Sequence, residues 1–498
     1  MKALLELFSR LFRNRSDFFR DTVTIITGSA FSRVLAFLSI PILSRIFTPE
    51  EFGVLALFVL MSVTVACVAS GRYEVAIVLP DDDSDALHLA FLALVISALT
   101  SIATFVAIGI WGEQIVEIFS LESNVESSLE TLGVWLKAVP LYVFIISLSS
   151  VISFWATRKK LFGYISGSEV AGTGVKIVSQ VGLQVTSGLG AGALILGQFG
   201  YHLTNAAVMI WGSIRNPRAV SWRDIKISRA LQMLKRYKKF PQFEATANLM
   251  SVTSREFPVL ILGLFFPLDI VGLYSISYRI MSMPSFVIGL SIMRVFYPLA
   301  KESKDQGNLD SISRSLYKQM LMLAMTPALL FLVAAPEVVE VVLGRKWINA
   351  GVYIQWLTIF MLSHFMMLPF LKLFLVYEKQ QQRLIYQLLL SVFRLGALII
   401  GGLMASPILS VALASIIGSV INFVTILILL FYTGVRLKDS LGIFIMEIAK
   451  SLPFALVLFL LKDYISDDVI VTLVFLSLVM LFIVMRYRSL MLIKSRMA

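Results

Sequence analysis

Fourteen apolar stretches, separated by charged or Pro- and Gly-containing breaks, recur along this chain of 498 residues. They lie at 22–47, 52–79, 86–110, 131–157, 165–187, 189–212, 244–266, 271–297, 314–335, 351–376, 383–404, 407–433, 442–461 and 469–487. As helices they are long enough to cross a hydrocarbon core about 30 Å thick. Lipid offers the backbone no hydrogen-bond partner, so such stretches must satisfy their own N–H and C=O groups as helices. A soluble core is excluded by composition: the chain is 58% hydrophobic and 15% charged, against about 45–50% and about 25% in soluble domains. The expected fold class is an all-α polytopic membrane protein with 14 transmembrane helices. The single cysteine, Cys67, excludes an intrachain disulfide framework and gives no basis for a thiol-held metal.

An even number of spans puts both termini on one side. Of the 43 Lys and Arg residues, 25 fall in loops and tails on that side, whereas the opposite side carries Arg45 at the end of the first span and Arg345, Lys346 and Lys462 in its loops. The opposite loop at 111–130 holds five Glu and no basic residue. The positive-inside rule therefore makes both termini cytoplasmic. Residues 1–21 repeat Leu4, Leu7, Phe8, Leu11 and Phe12 at helical spacing between arginines, the pattern of a segment lying along an anionic inner leaflet. The acidic run Asp81-Asp82-Asp83-Ser84-Asp85 reads as a solvated turn capping the next helix rather than a divalent-ion site.

The chain also repeats itself. Ser32-Arg33 leads through Ile46-Phe47-Thr48-Pro49-Glu50-Glu51-Phe52-Gly53 into the second span. Ser254-Arg255 leads through Phe265-Phe266-Pro267-Leu268-Asp269-Ile270-Val271-Gly272 into the eighth. Each second member carries an Arg near its cytoplasmic end, Arg72 and Arg294. The copies are six helices apart, an even number, so two pseudo-two-fold related six-helix lobes share one orientation. The expected organisation is an amphipathic segment at 1–21, an N-lobe at 22–212, a basic cytoplasmic linker at 213–243, a C-lobe at 244–433, and two extra C-terminal helices with the C-terminus at 434–498.

Besides Arg45, fourteen basic residues fall inside spans, three of them (Arg314, Arg383 and Arg486) at cytoplasmic ends, against the acids Glu74, Glu169, Glu244, Glu256 and Glu447. Lys318, Lys372 and Lys450, and also Arg72 and Arg294, lie within about two turns of the cytoplasmic face, close enough to snorkel. Arg33, Lys137, Lys176, Arg255, Arg279 and Arg394 lie deeper, at a cost of roughly 2.5–3.5 kcal/mol each if they faced lipid. Arg33 and Arg255 sit at matched depth, roughly 16 Å from the cytoplasmic start of their helices. Two readings stand: an aqueous cationic cavity, which is preferred, or buried interhelical ion pairs. Such a cavity would concentrate an anion, and phosphate suits the planar donor fork of Arg. Arg255 and Glu256 are adjacent and point about 100° apart on a helix, so they are expected not to neutralise each other directly.

Other signals carry less chemistry. Gly188-Leu189-Gly190-Ala191-Gly192 follows no strand and reads as a tight turn with close helix packing. His88, His202 and His364 are isolated in sequence and suggest no metal site; His364, deep in a span, is a weak proton-relay candidate. No Walker motif is present, so ATP hydrolysis through that machinery is excluded.

Three segments carry a family resemblance: Leu43-Ser44-Arg45-Ile46-Phe47-Thr48-Pro49-Glu50-Glu51-Phe52-Gly53, Ser70-Gly71-Arg72-Tyr73-Glu74-Val75-Ala76-Ile77-Val78-Leu79-Pro80, and Phe240-Pro241 with Asn248. The chain resembles the polysaccharide-transporter family of Wzx-type lipid-linked oligosaccharide flippases, within the multidrug/oligosaccharidyl-lipid/polysaccharide exporter superfamily. The resemblance implies a V-shaped carrier of the bacterial inner membrane, with a central cavity lined largely by spans 1, 2, 7 and 8. It implies a substrate, undecaprenyl-pyrophosphate-linked oligosaccharide, destined for O-antigen, capsule or exopolysaccharide. Arg33, Arg72, Lys176, Arg255, Arg279 and Arg294 are the candidate substrate-binding cations. Glu74 and Glu256 are the candidates for coupling to H+ or Na+, or for gating, because a carboxylate can change charge state where Arg cannot. No cofactor or nucleic-acid partner is expected; a polysaccharide polymerase and a chain-length regulator of the same pathway are the protein partners implied. A polytopic polymerase or ligase would be expected to present a large external loop, whereas the external loops here are about 20 residues or less. A multidrug extruder of the same superfamily would favour net acid in its cavity, and the balance here is basic.

Overall fold

In a computed structural model, residues 16–120, 126–215, 225–465 and 467–497 are described. The expected amphipathic segment lies mostly outside them. Every regular element among these residues is helical. The helices are α1 (Ser16–Leu38), α2 (Ile40–Ile46), α3 (Pro49–Ala69), α4 (Tyr73–Ala76), α5 (Asp83–Ser120), α6 (Glu126–Leu136), α7 (Val139–Arg158), α8 (Phe162–Ser187), α9 (Ala191–Arg215) and α10 (Ile227–Arg236). They continue with α11 (Ala245–Phe265), α12 (Leu268–Pro284), α13 (Leu290–Asp305), α14 (Leu309–Leu343), α15 (Ile348–Phe370), α16 (Leu373–Val376), α17 (Gln380–Leu403), α18 (Pro407–Tyr432), α19 (Leu437–Tyr464) and α20 (Asp468–Met497).

Helices cover the positions of all fourteen expected spans, and twelve helical segments among the described residues are long and apolar enough to cross a membrane. The two that fall short in apolarity are α8 and α11. Polar side chains cause this: Glu169, Lys176, Gln180 and Gln184 in α8, and Asn248, Arg255 and Glu256 in α11. The helices that least resemble lipid-facing spans are therefore two of those carrying candidate functional residues.

Local sequence sets the helix starts. Thr48-Pro49-Glu50-Glu51 opens α3 as a capping box: Glu51 Oε2 accepts the Thr48 N–H at 2.7 Å and Thr48 Oγ1 accepts the Glu51 N–H at 3.3 Å. Ser406 caps α18 by accepting the Leu409 N–H, with Pro407 in the first turn, where a missing donor costs nothing.

The chain forms two compact units. The first comprises residues 1–47 and 54–260, the second 48–53 and 261–498. In the first, α8 packs along α9 and against α1, and α5 lies along α7. Tyr73, Ile77, Leu89, Val151 and Met233 share its buried cluster. In the second, α14, α15, α17 and α18 surround a core of Tyr317, Met320, Phe360, Met366, Phe370 and Leu429. Helices α19 and α20 pack on α14, joined by Thr326–Ser451 at 2.7 Å and by the ion pair Lys462–Glu337 at 2.5 Å.

The short segment 48–53 joins the second unit through backbone contact. A Cβ on Gly53 would fall 1.9 Å from Leu268 O, and one on Gly272 would fall 1.8 Å from Pro49 O. Aligning the two repeat motifs places Pro49 on Leu268 and Gly53 on Gly272, so the contact is reciprocal. Phe52 adds an edge-on contact with the fully buried Trp347, ring centroids 5.3 Å apart. Any side chain at either glycine must push two helix backbones apart. Gly53→Ala and Gly272→Ala should each destabilise by about 1–3 kcal/mol, the usual cost of overpacking, read as a lower Tm of the purified protein. Gly174→Ala, where a Cβ meets nothing within 4 Å, should leave Tm unchanged or raise it.

Candidate functional site: a broken helix and its ion pairs

The second span is not continuous. Helix α3 stops at Ala69, and Gly71 and Arg72 both adopt left-handed backbone conformations, φ +61° and +59°, before α4 begins at Tyr73. Glycine takes that conformation freely, but arginine does so at a cost of roughly 1–2 kcal/mol. The break leaves carbonyls of the last turn of α3 without helical partners. Asn248 of α11 serves one, its Nδ2 donating to Cys67 O at 3.0 Å.

The break turns Arg72 towards two carboxylates. Its Nη1 lies 3.1 Å from Glu74 Oε1 and its Nη2 lies 3.7 Å from Glu244 Oε1. Glu74 is only 3% exposed, and its second oxygen accepts the Ser70 hydroxyl. Glu244 ends the π-helical turn Phe240–Glu244 and is half-exposed. Pro241, in the same turn, is 3.8 Å from where a Gly71 Cβ would stand. The segments Ser70–Glu74, Phe240-Pro241 and Asn248, far apart in sequence, thus meet at one place in the first unit.

Helix α10 is tied to this break. Tyr73 donates its hydroxyl to Leu234 O at 3.2 Å and shares an apolar cluster with Met233, Tyr237 and Phe240. The start of α10 is held by the acidic run: Arg229 Nε is 2.7 Å from Asp85 and its Nη2 is 3.2 Å from Asp82. His88 Nε2 accepts the Lys226 N–H at 3.0 Å, so its Nδ1 carries the proton given to Ser84 O at 2.6 Å. Arg158 binds Asp83 at 2.9 Å and also donates to Ile77, Pro80 and Asp81 carbonyls, while Lys159 pairs with Asp83. The run does cap α5 locally, through Asp82 and the Ser84 N–H. It is also a clamp, since its carboxylates hold three basic side chains.

The remaining candidates fall in three places. Arg255 Nε lies 2.8 Å from Glu256 Oε1, which corrects the expectation that these neighbours do not pair. The long arginine side chain folds along the helix surface and closes the gap that the 100° backbone offset opens. Arg255 and Arg72 both lie within electrostatic range of Cys67. Arg33 on α1 forms a second group with Glu169 of α8 around Tyr201 of α9, where Ser32 donates to Glu169 O and contacts Thr173 at 2.7 Å. Lys176 is close to His202 in the same helix pair. Arg279 and Arg294 belong to the second unit, on α12 and α13, the former half-buried and the latter exposed. Unlike the segment around Arg72, the one around Arg294 is unbroken helix. Sequence reasoning gave Glu244 no role, although it stands three residues after Pro241 in the motif that packs on the break.

This fold defines a multi-pass, all-α membrane protein. Residues 42–351 match the family described as polysaccharide biosynthesis protein, and the chain belongs to that family. It is 24% identical over 121 residues to the teichuronic acid biosynthesis protein TuaB of Bacillus subtilis (strain 168), an alignment spanning 24% of this chain and 25% of that relative. Its fold is similar to that of lipid II flippase MurJ in an inward closed conformation, at TM-score 0.70 and 15% identity over 94% of this chain and 100% of that one. It is also similar to an inward-facing multidrug resistance MATE family transporter of the MOP superfamily, at TM-score 0.59 and 16% identity over 80% and 95%.

Removing one partner of a buried pair costs about 3–5 kcal/mol because the other charge is stranded. Arg72→Gln should therefore lower the Tm of the purified protein strongly, and adding Glu74→Gln should recover most of the loss. A single variant as stable as wild type would contradict the pairing.

Proposed function

We propose that this protein is a flippase that carries undecaprenyl-pyrophosphate-linked oligosaccharide units from the cytoplasmic to the outer leaflet of the bacterial inner membrane, for surface polysaccharide synthesis. The observation that carries this reading is the family match at 42–351, on a helical chain with Arg279 and Arg294 in a segment long and apolar enough to cross a membrane, Lys176 and Arg255 on the two polar helices α8 and α11, and Arg72 at the break after α3. A pyrophosphate needs anion donors at membrane depth, and the guanidinium fork supplies paired N–H bonds to its oxygens. The prenyl tail stays in lipid, and the glycan passes among the polar side chains that make α8 and α11 unlike lipid-facing spans.

On this reading the lobes are 22–212 and 244–433, both termini are cytoplasmic, and the clamp of the acidic run on α10 faces the cytoplasm. Transport is by alternating access. Glu74 and Glu256 already face cations, so protonation or Na+ exchange at either carboxylate would free an arginine for the substrate. H+ or Na+ is accordingly the coupling ion. The protein acts as a transporter rather than an enzyme, delivering its cargo to a polymerase and chain-length regulator.

Deleting the gene should cause lipid-linked oligosaccharide repeat units to accumulate, detected by mass spectrometry of extracted lipids, with loss of surface polysaccharide. Arg33→Ala and Arg255→Ala should each fail to restore export while reaching the membrane at normal levels. Normal surface polysaccharide in the deletion, with drug resistance on overexpression, would favour the multidrug extruder suggested by the MATE-like fold. Wild-type export with both arginines replaced would overturn the cationic pathway.

A further inference from the structure

One buried cation of the second unit takes no part in that reading. Arg394 lies on α17, 14 residues beyond Gln380 and so about 21 Å along the helix, close to the middle of its span. It is 7% exposed. Its guanidinium carbon stands 3.9 Å from the ring centroid of Phe360 on α15, and its Nε is buried without an acceptor. Among the described residues it has no carboxylate within ion-pair distance. A ring face attracts a guanidinium, but it accepts none of the in-plane N–H bonds that a desolvated arginine needs.

Two further polar groups nearby are also unpaired. His364, one turn after Phe360, stacks on the same ring at 5.6 Å and 22°, and its Nδ1 is buried without a partner. Arg394 lies within its electrostatic range. Ser415 of α18 has a buried hydroxyl without a partner. It stands one turn before Gly418, whose missing side chain lets Phe360 and the Arg394 stem approach α18. The adjacent polar groups are committed elsewhere: Tyr386 donates to Asn422 at 2.8 Å, Asn422 to Ser363 at 3.1 Å, and Ser419 to Ile359 O at 2.6 Å. The cluster carries one fixed positive charge with no anionic partner among the described residues, and the Nδ1–H tautomer of His364 and the Ser415 hydroxyl can each add a donor to the guanidinium.

We propose that Arg394, His364 and Ser415 form a binding site for a small monovalent inorganic anion, of which chloride is the abundant example, between α15, α17 and α18. Mid-span depth and near-complete burial select a small ion over a lipid phosphate. The anion neutralises the guanidinium and accepts the donors that the helices leave unpaired. The site lies within the second unit and is independent of the transport reading.

The test uses the purified full-length chain in detergent, with radioactive chloride binding measured at constant ionic strength in gluconate. Wild type should bind about one chloride per chain, saturably and displaceably by bromide, and its Tm should rise with chloride in place of gluconate. Arg394→Gln should abolish both effects. His364→Phe, which keeps the ring stacking and removes one donor, should weaken binding by about fivefold, the value of one hydrogen bond, and decides the matter if Arg394→Gln does not fold. No saturable chloride binding by wild type would overturn the proposal, as would unchanged affinity in folded Arg394→Gln or His364→Phe.

Discussion

The contact between Arg72 and Glu74 governs the arrangement of the first unit around its second span. It exists only because α3 ends at Ala69 and two residues turn left-handed before α4 resumes. An unbroken helix would hold residues 72 and 74 about 200° apart around its axis. The break exposes a carbonyl that Asn248 serves, makes room for Pro241 and turns Tyr73 onto α10. The local backbone strain is offset by an ion pair, a hydroxyl bond to the buried carboxylate and an apolar cluster. Positions that combine strain with buried charge are where proteins concentrate function.

The contact between Gly53 and Gly272 plays a comparable part in the second unit. Helices in lipid associate through close packing and polar contacts, since lipid removes the hydrophobic drive between them. Reciprocal glycine-to-carbonyl approach, one from each repeat motif, places a short piece of the N-terminal half among the residues of the second unit. Sequence similarity between the two motifs thus reflects a shared packing duty. The divergence lies further along, where the Gly71-Arg72 break has no counterpart at Arg294.

Helix positions were legible in the sequence because hydropathy and charged breaks report directly on backbone that must satisfy itself in lipid. The apolar signal is weakest at α8 and α11, whose polar residues keep them from being apolar enough to qualify as spans. The residues of the break were legible as motif segments, but their meeting was not, because nothing in the spacing of Ser70–Glu74, Phe240-Pro241 and Asn248 specifies a common location. The Arg255–Glu256 pair is not legible from the 100° offset of neighbouring helix positions, because the arginine side chain is long enough to fold back along the helix. The acidic run at 81–85 gave its cap through local spacing, whereas its partners Arg158, Lys159 and Arg229 come from other helices.

The central claim is that the chain moves a pyrophosphate-linked glycan across the bilayer. Its most direct measurement reconstitutes the purified chain into vesicles loaded with undecaprenyl-pyrophosphate-linked oligosaccharide and follows exposure of the inner-leaflet glycan to an externally added lectin. Exposure that grows with time in protein-containing vesicles, and not in protein-free ones, is the predicted result. Equal exposure in both under an imposed proton or sodium gradient would contradict the account.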